Sequence, residues 1–165
     1  MRETTSIEEW LKKPYWVIDL LPWQVPKDGD GQYFRIEAYY RAHPQVDTLY
    51  KKFAHILLKL NCYVDMDVSL DGEQWFRNPA PEDFVAMVEQ SLALKCMLYV
   101  ALLPGEGLVT LSADDCYMTV YDPSEATLSL LRALVSAEGL FLWKPENNNC
   151  EVFGLDDKLN KTNSQ

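Results

Sequence analysis

Apolar residues recur along this chain at two spacings, one helical and one strand-like, and turn residues separate the runs. Ser6-Ile7-Glu8-Glu9 has the form of a capping box and predicts a short helix to about Lys13, which Pro14 stops. Tyr15 to Leu21 reads as a strand ended by Pro22. Gln32 to Arg41 fits both periods: Phe34, Ile36, Ala38 and Tyr40 alternate, while Tyr33, Ile36 and Tyr40 follow helical spacing. With Glu37 and Ala38 inside and few β-branched residues, a helix is the better reading.

Pro44 opens a second helix, with an apolar stripe of Val46, Leu49, Phe53, Ile56, Leu57 and Leu60 running to Asn61. Cys62 to Leu70 then alternates. Tyr63, Asp65, Asp67 and Ser69 point one way, toward water, and the apolar positions point the other. Asp71-Gly72 is a hairpin signal, and Glu73 to Arg77 should return as the partner strand. A helix is predicted from Glu82 to about Ala93, buried through Phe84, Val85, Val88 and Leu92. Lys95 to Leu103 is nearly all apolar, as expected of a central strand buried on both faces.

Leu108 to Ser112 and Cys116 to Tyr121 are two further strands. In Asp122-Pro123-Ser124-Glu125, Asp122 reads as the N-cap of a helix that ends at Gly139. Leu140 to Trp143 is a last strand. Residues 1–153 therefore read as one domain and 154–165 as a polar tail. The expected class is α+β: a mostly antiparallel or mixed sheet of about five to seven strands, with about four to five helices largely on one face.

Composition narrows the function. The 165 residues carry a formal net charge of −10, which repels phosphate backbones and anionic lipid, so neither nucleic acid nor a membrane is an expected partner. A basic protein is. The N-terminal residues carry Glu3, Glu8 and Glu9 where a secretory signal needs an apolar run, so a cytoplasmic location is expected. Of Cys62, Cys96, Cys116 and Cys150, three sit in apolar strand-like runs and read as buried free thiols.

Candidate chemistry is sparse. Asp28, Asp30 and Glu37 match three positions of a calcium loop, but Pro26 stands at the first ligand position and no helix enters. A plain polar turn explains Asp28-Gly29-Asp30-Gly31 better. Asp65 and Asp67 share one strand face and could hold a cation or act as acid and base, although a solvated face explains them as well. His43 and His55 lie too far apart to act together on one helical turn, and no nucleophile elbow or phosphate loop occurs. No cofactor is expected.

Two surface features stand out. Between Asp65 and Glu89 there are seven acidic residues against one Arg77, a stretch suited to a basic partner. Trp10, Tyr15, Trp16 and Trp23 cluster near the N-terminus and Trp75 sits on the hairpin, where core packing competes with a contact role. The reading is a small acidic, non-enzymatic protein-binding domain, immunity-protein-like or adaptor-like by class and charge alone. Asp65, Asp67, Glu73 and Trp75 are its expected contact residues. A metal-dependent enzyme or metal-binding protein using surface carboxylates, and a structural subunit or homodimer, are the alternatives.

Overall fold

The computed structural model describes residues 6–26, 31–42 and 45–146. The calls on Asp28, Asp30, His43, Cys150 and the polar tail lie outside them. Five helices and seven strands occur among the described residues: α1 (Ile7–Trp10), β1 (Tyr15–Asp19), α2 (Gln32–Arg41), α3 (Gln45–Asn61), β2 (Asp65–Ser69), β3 (Phe76–Arg77), α4 (Pro81–Leu94), β4 (Met97–Leu103), β5 (Gly107–Ser112), β6 (Tyr117–Tyr121), α5 (Glu125–Ala137) and β7 (Phe141–Trp143). The strands form one sheet in the order β3-β2-β4-β5-β6-β1-β7, and every neighbouring pair is antiparallel. The α+β class holds.

Register explains the core. Val68, Val100, Val109 and Val120 pair in a line across four strands and so project from one face. Met66, Leu98, Leu102, Leu111, Met118 and Ile18 join them there, all essentially inaccessible. The α3 stripe packs in the same cluster through Phe53, Ile56, Leu57 and Leu60, flanked by Phe84 and Val88 of α4 and Leu131 and Val135 of α5. Each fully buried Leu or Phe contributes about 1.5–3 kcal/mol relative to an exposed one. No helix among the described residues is long and apolar enough to cross a membrane.

The second face of the sheet is more polar. It carries Asp67, Ala101, Leu108, Tyr121 and Tyr15 in one row and Ser69, Tyr99, Thr110, Thr119 and Val17 in the next. Strand β4 therefore alternates between buried and half-buried positions and is not sealed on both sides, a correction to the reading of its apolar run. Helix α1 lies at this face: Ile7 Cδ1 would stand 2.7 Å from a Cβ at Gly72, with Tyr99 beyond. Its capping box is present, Ser6 and Glu9 exchanging backbone and side-chain bonds.

Several local expectations need correction. Strand β2 starts at Asp65, because Cys62 and Tyr63 close the end of α3 through N–H bonds to Lys59 and Leu60 carbonyls. Cys62 is thus exposed, Cys96 half-buried and Cys116 buried; all three are free. Ser69 is not on a wet surface but fully buried, its hydroxyl accepting the Gly72 N–H at 2.9 Å and donating to Asp71 at 3.1 Å. This turn shortens the returning strand to two residues. Helix α5 is capped by Ser124, whose Oγ accepts the Thr127 N–H at 3.2 Å. Asp122 instead adopts a left-handed φ of 44°, incompatible with an N-cap. Gly139, at φ 73°, ends α5 as expected.

Candidate functional site

A concavity lies at the β3 edge of the sheet, between the β2–β3 turn and α4. It is an open groove of about 790 Å³. Asp83, Ala86, Met87 and Gln90 form one wall, recurring at helical spacing on the face of α4 turned away from Phe84 and Val88. Trp75, Phe76 and Arg77 form the other wall and Leu70 and Asp71 the end. Phe76 is 46% exposed, an aromatic ring left open to solvent beside Met87. The Trp75 indole N–H donates to the Gly72 carbonyl at 3.2 Å, which fixes the ring against its own turn.

Charge in the groove is one-sided. Asp71 accepts the backbone N–H groups of Glu73 and Gln74, each at 2.8 Å, and all of these bonds land on Oδ1. These N–H donors hold its carboxyl below the ordinary range, so it stays ionised. Asp83 is exposed on the opposite wall, in the first turn of α4. Arg77 is the cation of the groove, and Asp67 occupies it.

Of the expected contact residues Asp65, Asp67, Glu73 and Trp75, only Trp75 lines the groove, while Asp71, Arg77 and Asp83 of the acidic stretch line it with Trp75. Asp65 and Asp67 project from the second sheet face, away from α4. Asp65 accepts from Asn78 Nδ2 at 3.1 Å, and Asp67 is held by Arg77. Glu73 is exposed on the turn. Asp71 and Asp83, twelve residues apart in sequence, are the carboxylates that line it; the acidic stretch from Asp65 to Glu89 contains both, but nothing local sets these two apart from its other five.

A second polar cluster sits beneath α2. Asp19, 5% exposed, is pushed up to about 6, first by loss of water and further by the nearby Glu37 charge. The N–H groups of Leu21 and Leu20 oppose that shift. Trp143 Nε1 is buried without a hydrogen-bond partner of good geometry, and it lowers the Asp19 value least of the influences. Tyr33 donates to Glu37 Oε2 at 2.9 Å and Arg41 pairs with Glu37 Oε1 at 3.0 Å. Burial and the Glu37 bond raise Tyr33, while burial first raises Tyr117 and Cys116.

Glu37 is therefore committed to Tyr33 and Arg41, and no group of three His, Cys, Asp or Glu among the described residues is arranged to hold a metal. Helix α2 has no fully buried residue. Tyr33, Glu37 and Tyr40 face the protein, whereas Phe34, Ile36 and Tyr39 are 72%, 53% and 53% exposed. Ile36, expected on the inward stripe, lies outside, because the sheet beneath offers Asp19 and Tyr117 in place of an apolar floor. His55 is exposed on α3.

Comparison of the chain with protein-family models, with curated proteins and with solved structures finds no match.

Proposed function

We propose that the chain is a small acidic, non-enzymatic protein-binding domain that receives a positively charged, apolar-anchored protein segment in the groove between the β2–β3 turn and α4. The observation that carries this reading is an open groove that sets Trp75, Phe76 and Met87 beside two carboxylates, Asp83 on the α4 wall and Asp71 at the end, while the groove's cation is neutralised by Asp67. Aromatic and methionine side chains supply the anchor contacts such surfaces use, and carboxylates at the rim steer a cationic segment and fix its register. The net charge of −10 favours the same class of partner. Glu73 and Trp75 border this surface; Asp65 and Asp67 lie behind it and contribute to its field. A cytoplasmic location and the absence of a cofactor belong to the same proposal.

The test is capture from an extract of the protein's own cells with the wild type and with Asp83→Lys, which leaves the turn held by Asp71 intact. A stoichiometric partner held by the wild type and lost by the variant supports the reading. A partner retained equally by both places the contact elsewhere, and no partner at all contradicts a protein-binding role. Charge reversal at Asp65, Asp67 and Glu73 should slow association more than it speeds dissociation.

A further inference from the structure

We propose that α2 is a pH-gated cover over the end of β1: it seats on the sheet while Asp19 holds its proton and lifts away when Asp19 ionises. The device is independent of the groove.

The helix is not attached as its neighbours are. Tyr33, Glu37 and Tyr40 recur at helical spacing and form its half-buried face, and none of them is aliphatic. No residue of α2 belongs to the hydrophobic core or to the partly buried apolar side chains packed against it, whereas α3, α4 and α5 contribute to both. The apolar burial that fixes those three helices is missing from α2, so polar groups govern whether it stays seated.

Those groups are unbalanced in charge. Asp19 is 5% exposed. Facing it are Glu37 and Tyr33 from α2, Tyr117 opposite it in register on β6, Cys116 just before β6, Trp143 of β7, and the N–H groups of Leu20 and Leu21. Asp115 and Arg41 complete the cluster around Glu37, with Tyr50 of α3 and the exposed Asp114 at its border. Were Asp19, Glu37 and Asp115 all ionised, three negative charges would face a single guanidinium. That guanidinium, Arg41, is already bound to Glu37 at 3.0 Å, which leaves Asp19 no cation of its own among the described residues. A buried carboxyl so placed either keeps its proton or reaches water. Keeping it lets α2 stay. Reaching water lifts α2, the covering element with no apolar hold.

The direction of the pH response follows. Under the seated helix, burial and then the Glu37 charge raise Asp19 to about 6; in water it returns to the ordinary 3.8. Seating therefore takes up a proton. It is fully supported below about pH 4 and weakens as pH rises through 6, by roughly tenfold between about pH 5 and pH 8. Asp115, raised by burial and then by Glu37, acts in the same direction.

Amide hydrogen exchange at about pH 5 and about pH 8 tests this, read as protection relative to an unstructured chain at the same pH. In the wild type, Gln32 to Arg41 should lose about tenfold in protection over that interval. They should also exchange ahead of Phe53 to Leu60 at both pH values, which marks opening of α2 alone. Asp19→Asn should make the protection of α2 equal at the two pH values. Glu37→Gln should move the fall to lower pH without removing it, because burial is the larger cause. A thermal melt confirms that each variant folds, and Glu37→Gln carries the test if Asp19→Asn does not. Protection of wild-type α2 that is the same at both pH values overturns the inference. So does a fall that persists in Asp19→Asn or is unmoved in Glu37→Gln, or an α2 that exchanges only together with α3.

Discussion

Arg77 and Asp67 stand opposite one another in register across the β3–β2 pair, Nε closing on Oδ1 and Nη2 lying 3.4 Å from Oδ2. This is a cross-strand pair on a partly exposed edge, with 48% and 25% of the two side chains accessible, so its net worth to stability is at most about 1 kcal/mol. Its larger effect is on the field of the groove. Arg77→Ala should lower stability by less than about 1 kcal/mol in urea denaturation, yet tighten binding of a cationic segment. A variant with weakened binding would show that Arg77 contacts the partner itself.

The buried Asp19 sets a pH dependence. Its folded-state value, about 6, exceeds the ordinary 3.8, so the folded chain keeps the proton where the unfolded chain has released it. Stability from this group is complete below about pH 4 and is lost as pH rises through 6, at a cost of roughly 3 kcal/mol above that. Asp19→Asn should therefore raise the melting temperature near about pH 8 and flatten the profile between about pH 4 and 6. Equal melting temperatures for the two proteins at about pH 8 would refute the assignment.

Helix α5 gives a direct contrast between two candidate caps. Ser124→Ala removes the oxygen that accepts the Thr127 N–H and also its bond to Glu106, and should cost about 1 kcal/mol or somewhat more. Asp122→Gly, which suits the left-handed φ that alanine would strain, removes only an exposed pair with Lys13 and should cost under about 0.5 kcal/mol. Chemical denaturation of both variants decides which residue caps the helix.

In the core, Phe53 is the point where α3 meets the sheet face, and it is fully buried. Phe53→Ala should cost about 3–5 kcal/mol, enough to leave little net stability in a domain of this size. A loss below about 1 kcal/mol would mean that α3 is not the centre of the helical layer.

How far the sequence carried differs from element to element. The α3 stripe was legible because it repeats its period several times. The α2 helix was legible in extent, Gln32 to Arg41, but its inward face was not, since that face is set by the polar pair Asp19 and Tyr117 from distant strands. The start of α5 was misplaced by two residues because Asp122 is an acceptable N-cap by type, and only its φ rules it out. The hairpin signal at Asp71-Gly72 was sound, but the Ser69 and Asp71 side chains hold a wider turn that leaves β3 two residues long. The groove depends on α4 lying beside that turn, a tertiary relation for which no local pattern exists.

The central claim, that this groove is a protein-binding surface selective for positive charge, is tested most directly by amide chemical-shift mapping. Isotope-labelled protein would be titrated with a short peptide of alternating lysine and leucine, and with the same peptide carrying glutamate for lysine. Shifts at Trp75, Phe76, Arg77 and the Asp83 to Gln90 wall with the lysine peptide, absent with the glutamate peptide and reduced by Asp83→Lys, are the predicted result. Shifts confined to other surfaces, or equal responses to the two peptides, would contradict it.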